Sequence, residues 1–401
     1  MCNSKGDIVA FPLQGRTFVE RLPGGVPVDQ TDISGPAKMI MPGSQHFLLS
    51  VALWLGIAAL VGLGLALLIR LRRRRKHLPS RPPLVAVCLA LVVLGALTLG
   101  LVNKPSRFFV PEFPALPRLF PEDAFFYRPI GDVPVAPRSA ETVRALGSTP
   151  IAAGVSGEVR NGIVWGVPFN FVDSSSPRYR FRMTYPAGSD DVLYPISDPA
   201  YIQSMPALGI DNHYVAIDLL EQRMWELWGI RNWFGVWSAG SGALWDLRST
   251  EYAKGSTTAA GLPMFPLVYT YEEVESGSID HALGAGSSIV APEFVWPARH
   301  TDGRSSDPDA PPMGTWLRLK AGADLSALGP QARVIAQAMQ RYGIVITDTT
   351  TGGLGLAGTP DGRWDNEDLS TLRSLDTGDL EVIDASSLMV REDSMSVDPT
   401  G

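Results

Sequence analysis

The segment FLLSVALWLGIAALVGLGLALLI at residues 47–69 contains no charged side chain, and LVAVCLALVVLGALTLGLV at residues 84–102 contains none either. About 20 apolar residues at roughly 1.5 Å per residue cross a hydrocarbon core of about 30 Å. A pair of buried core helices fits runs of this length less well, because all the charge lies in the joint between them. The two segments predict a transmembrane helical hairpin over residues 46–102.

The joint between these segments is strongly basic. Residues 70–81 read RLRRRRKHLPSR and contain seven Lys or Arg side chains. The positive-inside rule places such a loop, residues 70–83, in the cytoplasm. We therefore expect a two-pass protein of the cell membrane, with the lipid bilayer as a partner and both termini outside the cytoplasm.

The charge of the chain differs sharply between its two parts. Residues 1–102 carry 11 basic and 4 acidic side chains, whereas residues 103–401 carry 23 and 37, a net charge of −14. An acidic domain lacks the basic surface that nucleic acids require, so the sequence argues against a nucleic-acid partner. The two cysteines, Cys2 and Cys88, both precede this domain and provide no disulfide framework for it.

Composition divides the rest of the chain. Residues 1–45 are polar without periodicity and predict a disordered outer tail, and a start at Met39 or Met41 is an alternative. Eight prolines among aromatic residues over 103–137 exclude a helix or a central strand and favour an extended arm packed on the domain surface. We accordingly expect an arm at 103–138, a β-rich extracytoplasmic domain at 139–388 and a disordered tail at 389–401.

Strand patterns outnumber helix patterns in the predicted domain. Tyr214–Asp218 and Arg223–Trp228 predict two strands joined by a tight turn at Leu219–Gln222. Two segments favour helix: Pro330–Tyr342, which Gly343 follows, and Asn366–Leu375. The predicted fold class is mainly β, a sandwich or jelly roll with a few helices, preceded by the two-helix transmembrane hairpin.

Three histidines are candidates for acid–base chemistry. His213, His281 and His300 each lie next to a polar residue in a histidine-poor domain. Histidine moves protons readily near neutral pH and is a common metal ligand. Three independent, hydrogen-bonded histidines in loops are the alternative. Short metal-binding spacings are absent, so we expect no cofactor, although a divalent metal bound by distant ligands stays open.

Carboxylates and aromatic residues add further candidates. Glu226 lies within the strand MWELW, and Asp348 follows an apolar run. Glycosidases use paired carboxylates, while most carboxylates are solvated surface groups. Five tryptophans fall within 21 residues, and two of them, Trp228 and Trp245, are candidates for stacking on sugar faces, with core packing as the alternative.

Two basic residues are candidates for holding an anionic group. Arg318 and Lys320 share one face of a regular strand, where they could neutralise a uronate carboxylate, as polysaccharide lyases require. Plain surface charge on a half-exposed strand is the alternative.

A series of short motifs resembles a family of bacterial secreted or surface-attached β-rich domains. The series runs, in order, through Gly261-Leu-Pro263, His281-Ala-Leu283, Pro297-Ala-x-His300, Pro311-Pro-Met-Gly314, Arg318-Leu-Lys320, Tyr342-Gly343 and Arg363-Trp-Asp365. The resemblance covers roughly residues 160–385 and implies an extracytoplasmic domain, here at the bacterial inner membrane. It brings no settled activity with it. The chain departs from the family pattern at Leu267 and Thr349.

The motif positions overlap with the chemical candidates, and this overlap predicts one shared cleft. The expected catalytic residues are His213, Glu226, His281, His300 and Asp348. The expected substrate-binding residues are Arg318, Lys320, Trp228, Trp245 and Tyr342. We predict a domain that acts on cell-envelope or extracellular polysaccharide as a hydrolase or lyase. A non-catalytic glycan-binding or envelope structural protein is the alternative, and the oligomeric state stays open.

Overall fold

Short strands dominate the computed structural model, which describes residues 12–13, 16–17, 112–157, 159–160, 163–203, 211–233 and 236–398. Its strands are β1 (Pro12–Leu13), β2 (Arg16–Thr17), β3 (Ile151–Ala152), β4 (Val159–Arg160), β5 (Ile163–Val164), β6 (Phe169–Phe171), β7 (Arg178–Tyr179), β8 (Arg182–Met183), β9 (Tyr194–Pro195), β10 (Tyr214–Asp218), β11 (Arg223–Trp228), β12 (Arg231–Trp233), β13 (Val236–Ala239), β14 (Ser241–Asp246), β15 (Leu283–Ser287), β16 (Trp316–Leu319), β17 (Ile344–Thr349), β18 (Leu354–Leu356) and β19 (Leu380–Val382). Its α-helices are α1 (Ser139–Leu146), α2 (Tyr271–Ser276), α3 (Pro330–Arg341) and α4 (Asn366–Ser370).

The largest sheet has six strands in the order β19, β16, β17, β15, β18 and β3. Its centre is β17, where Ile344, Val345 and Ile346 are fully buried. A continuous apolar run of this kind is typical of a strand covered on both faces. Strand β17 pairs parallel to β15 and antiparallel to β16, so the sheet is mixed.

Helix α3 packs beside β16 of this sheet. Its apolar residues recur at helical spacing, and Ile335 and Met339 are fully buried. The helix stops at Tyr342, and Gly343 then takes a φ of 78°, a conformation that glycine adopts without the steric cost of a Cβ. The prediction of a helix over Pro330–Tyr342 is confirmed to within one residue.

A second, four-stranded sheet has the order β14, β11, β10 and β6. Strands β10 and β11 form an antiparallel hairpin in which Val215 faces Glu226. The turn is fixed by Asp218, whose Oδ1 accepts hydrogen bonds from the backbone N–H groups of Leu220 and Glu221 at 3.0 and 2.9 Å. The predicted hairpin is confirmed, with the strand limits that the sequence pattern indicated.

The predicted fold class needs two corrections. In the part of the chain described here, no helix is both long and apolar enough to cross a membrane, so the structure does not support the transmembrane hairpin. Both predicted spans, 47–69 and 84–102, and the basic loop 70–83 lie outside the described residues. Both main sheets also contain parallel pairs, whereas a sandwich or jelly roll is antiparallel.

The arm and the C-terminal tail contribute to the core. Phe125 and Phe126 are fully buried and belong to the main hydrophobic core. Met395 and Val397 are buried too, and the N–H of Phe125 donates to the carbonyl of Met395 at 2.8 Å. Residues 389–398, which the sequence predicted as a disordered tail, are therefore ordered by packing against the proline-rich arm.

Candidate functional site

One loop, Thr257–Gly261 with the sequence TTAAG, contacts four of the predicted catalytic residues. His213 and Glu226 contact it at Thr257, whereas His300 and Asp348 contact it at Ala259. We call this segment the 257–261 loop. The loop connects two sheets. Thr257 contacts Glu226 in a strand of one sheet, and the N–H of Ala260 donates to the carbonyl of Thr347 in β17 of the six-stranded sheet.

Glu226 contacts the loop at Thr257, which we call the inner side of the loop. It is 1 % exposed. Its carboxylate accepts hydrogen bonds from the Thr257 hydroxyl at 2.9 Å, the Trp245 indole at 3.1 Å, and the backbone N–H groups of Met264 and Phe265 at 3.0 and 2.9 Å. Burial raises the pKa of Glu226, and these donors oppose the shift. Because every partner donates, the carboxylate is saturated and joins β11 to the loop.

His213 precedes β10 and is also buried. Its Nδ1 lies 2.5 Å from Oε1 of Gln203, and its Nε2 lies 3.3 Å from the carbonyl oxygen of Thr257. Burial lowers the pKa of His213, against the opposing charge of Asp211. A neutral ring then donates through Nδ1 to the nearer acceptor, which holds the imidazole in place.

Asp348, near the end of β17, contacts the loop at Ala259, which we call the outer side of the loop. Its Oδ1 accepts the N–H of Ala259 at 2.7 Å. Burial raises the pKa of Asp348 to about 8, and the negative charges of Asp211 and Asp302 add to the shift. The side chain is half-buried, so it remains within reach of solvent. A carboxyl of this kind is protonated at neutral pH and can act as an acid.

His300 also contacts Ala259, at the carbonyl group of that residue. Its Nδ1 lies 2.6 Å from the carbonyl oxygen of Ala259 and therefore carries the proton. In the neutral form of this exposed ring, Nε2 is the nitrogen with the lone pair. It lies over Gly261, where a Cβ would come within 2.8 Å of it and where φ is 77°. The glycine therefore makes room for the histidine.

An aromatic pair lies next to Asp211, whose charge acts on the Asp348 carboxyl. The rings of Tyr185 and Trp228 are stacked with their centroids 6.2 Å apart and their planes 28° apart. Tyr185 is 59 % exposed. The indole N–H of Trp228 donates to Oδ1 of Asp211 at 3.0 Å, which links the pair to the aspartates. Trp245, by contrast, is buried, and its indole N–H donates to Glu226.

His281 lies elsewhere, in a buried ion pair. Its Nε2 is 3.1 Å from Oε1 of Glu273, and its Nδ1 is 2.8 Å from the carbonyl oxygen of Ala282. Burial lowers the pKa of His281, but the Glu273 carboxylate, the Ala282 carbonyl and the charge of Asp280 together raise it by more, so the net shift is upward. Burial raises the pKa of Glu273, but the charge and hydrogen bond of His281 and the hydrogen bonds from Thr270 together lower it by more. Both ring nitrogens donate, so this histidine has no free lone pair.

The remaining predicted substrate-binding residues lie away from the loop. Arg318 pairs with Glu381 at 2.7 Å, and its guanidinium donates to the carbonyl of Val133 at 3.0 Å. Lys320 donates to the carbonyl of Gly378 at 2.6 Å. Tyr342 is 2 % exposed. These three side chains hold the arm, the C-terminal segment and the core, and the structure does not bring them to the candidate site.

Several residues of the site were not singled out from the sequence as site residues. They are Tyr185, Asp211, Thr257, Ala259 and Asp302. The neighbouring sequence Asp211-Asn-His213 gave a local signal for the first aspartate, but Asp302 lies in a Gly-, Ser- and Asp-rich loop without periodicity. Among the described residues, no group of three or more His, Cys, Asp or Glu side chains has the geometry of a metal site.

Comparison with family models, curated proteins and solved structures returns no match for this chain. The motif resemblance therefore stays a prediction, and the 257–261 loop is interpreted from its own geometry.

Proposed function

We propose that the protein hydrolyses glycosidic bonds of a polysaccharide at the outer side of the 257–261 loop. The observation that carries the proposal is the placement of Asp348 and His300 on the N–H and C=O groups of one residue, Ala259. Burial raises the pKa of Asp348 to about 8, and the charges of Asp211 and Asp302 add to this shift, which favours the protonated carboxyl at neutral pH. Glycoside hydrolysis requires a pair of carboxyl groups: a protonated carboxyl that donates to the leaving oxygen and a carboxylate that stays charged.

The proposal gives each group a role. Asp348 protonates the glycosidic oxygen. The Asp302 carboxylate, which takes a hydrogen bond from the Thr349 hydroxyl at 2.8 Å, faces the positive charge that develops on the sugar. Nε2 of His300 takes the proton of the attacking water. That proton then returns to Asp348, so the net reaction adds one water to one glycosidic bond.

Stacked aromatic rings support a sugar as the substrate. Tyr185 and Trp228 present a flat, partly exposed surface, and apolar sugar faces pack on such rings. Asp211 joins this surface to Asp348, because it accepts from the Trp228 indole and its charge acts on the Asp348 carboxyl.

Hydrolysis fits the site better than elimination does. A lyase acting on uronates requires a cation to neutralise the substrate carboxylate. Arg318, the residue expected in this role, is engaged by Glu381 and by arm carbonyls. The groups beside Asp348 are acidic, which suits a proton donor and would repel a uronate.

A second candidate function, non-catalytic glycan binding, also draws on the exposed Tyr185–Trp228 pair. It requires the aromatic surface alone, with no role for Asp348 or His300. The hydrolase proposal therefore predicts that a change at Asp348 lowers turnover and leaves binding in place. Glycan binding alone predicts that the same change has no effect.

The test is incubation of the purified full chain with a panel of bacterial and plant polysaccharides, with new reducing ends as the measurement. We expect Asp348→Asn to lower the rate of the cleaved substrate by about a hundredfold or more while leaving its binding in place. Glu392→Gln, a change at an exposed carboxylate, is the matched control and should keep full activity. Binding without cleavage by the wild type would sink the hydrolase proposal and leave glycan binding.

A further inference from the structure

A pocket of about 290 Å³ lies between the proline-rich arm and helix α2, and its lining residues do not include those of the 257–261 loop. Its apolar wall includes Leu116, Phe265 and Val268. Its polar wall includes Arg118, Tyr127, Glu272, Glu273, Asp280 and His281. A concave site with apolar walls and a few converging polar groups is the usual form of a small-molecule site.

Each acidic side chain of the pocket faces a basic one. Glu273 pairs with His281 at 3.1 Å, and Glu272 pairs with Arg363 at 2.7 Å. Asp280 lies 4.0 Å from the guanidinium of Arg341 and accepts the Ser278 hydroxyl at 2.6 Å. Each carboxylate that lines the pocket therefore has a basic partner within the protein, and Glu272 shares its partner Arg363 with Asp361, which lies 2.8 Å from the guanidinium.

Arg118 is the exception. Its guanidinium lies over the Tyr127 ring, 4.8 Å from the centroid, and forms no ion pair with any residue that the structure describes. A cation held by a ring face keeps its N–H groups directed outward for other acceptors. The Tyr127 hydroxyl accepts the N–H of Leu119 at 3.1 Å, and its own proton has no acceptor within the described chain.

We propose that this pocket binds a small amphipathic anion, with Arg118 and the Tyr127 hydroxyl holding a carboxylate or phosphate group and the apolar wall covering the rest of the molecule. The Arg118 guanidinium, which has no carboxylate partner among the described residues, sets the sign of the ligand charge at its end of the pocket. The mixed wall sets its amphipathic character, and the volume limits it to a small molecule. This site is separate from the proposed hydrolase site and does not depend on it.

The test is isothermal titration of the full chain with three probes: 4-phenylbutyrate, octanoate and phenyl phosphate. Arg118→Gln should weaken the best probe by about ten- to a hundredfold, because it removes charge-assisted hydrogen bonds. Arg118→Lys should retain part of the affinity through its charge. Arg144→Gln, at an exposed arginine on α1, is the matched control and should bind as the wild type does.

An uncharged analogue separates charge from apolar contact. 4-Phenylbutanamide should bind at least tenfold more weakly than 4-phenylbutyrate, and Arg118→Gln should remove most of that difference. Equal affinity for the acid and the amide, an unaffected Arg118→Gln variant, or no binding by any of the three anions would each overturn the proposal. The sensitivity of the Arg118 side-chain NMR signal to the probe provides a readout in the folded protein.

Discussion

The two sides of the 257–261 loop each hold a carboxyl group whose pKa is raised by burial, yet they differ in hydrogen bonding. On the inner side, Glu226 receives four donors from two side chains and two backbone groups. On the outer side, Asp348 receives the N–H of Ala259 and a hydrogen bond from the Thr347 side chain, and it faces the negative charges of two aspartates. The number of hydrogen-bond donors, rather than burial alone, therefore separates a carboxylate with a structural role from a carboxyl group that can donate a proton.

The largest expected effect concerns the inner side. Glu226→Ala should lower the free energy of unfolding by about 3–5 kcal/mol, because four buried donors lose their acceptor. Chemical denaturation of the full chain measures the loss, with Glu392→Gln as the exposed control. A loss below about 1 kcal/mol would show that the donors find other partners and that the inner side is not a structural joint.

The second effect concerns the outer side and its pH dependence. The pKa of Asp348 is raised from 3.8 to about 8 on folding, so between these values the folded chain holds a proton that the unfolded chain has lost. This contribution to stability is complete below pH 3.8, decreases progressively as the pH rises, and is lost once the pH has passed about 8. Its slope is about 1.4 kcal/mol per pH unit.

Denaturation of wild type and Asp348→Asn between about pH 5 and about pH 7 measures this slope. The stability of the variant relative to wild type should rise with pH, since asparagine does not titrate. Parallel pH profiles for the two proteins would contradict the raised pKa and remove the main support for Asp348 as an acid.

A smaller effect is expected at the contact between the loop and its inner side. Thr257→Val removes one donor to Glu226 and keeps the shape of the side chain, so it should cost about 1–2 kcal/mol. Thr142→Val, on helix α1, should change stability by no more than about 0.5 kcal/mol. An equal effect of the two substitutions would mean that the Thr257 hydroxyl contributes nothing to the joint.

The smallest effect is a difference in titration between two histidines. His281 should titrate above 6.5, because Glu273, the Ala282 carbonyl and Asp280 together outweigh its burial, and His213 should titrate below 6.5, because burial dominates. Imidazole NMR signals followed against pH measure both values. The reverse order would show that the Glu273–His281 pair is not ionised in solution.

Local patterns in the sequence predicted some elements accurately and others not at all. The β10–β11 hairpin and helix α3 follow from alternation, helical spacing and a terminal glycine, which act over a few residues. The mixed sheet does not follow, because the parallel pairing of β15 with β17 joins strands nearly 60 residues apart. The burial of residues 389–398 against the arm is equally non-local.

The candidate site shows the same division. The sequence supplied the chemistry of His213, His300 and Asp348, since few side chains move protons near neutral pH. It also suggested His281, but the structure places that residue in a closed ion pair with Glu273. It could not supply the neighbours that decide each role, because hydrogen-bond partners come from distant segments.

The sequence by itself determined the strand-rich composition of the domain, its acidic charge and the residue types that can carry acid–base chemistry. Only the tertiary structure decided which of these residues meet. Ala259 brings His300 and Asp348 together through its own C=O and N–H groups, a contact between segments about 40 and 90 residues away along the chain. Backbone groups of an alanine carry no sequence signal, so only the folded chain reveals them as the centre of the site.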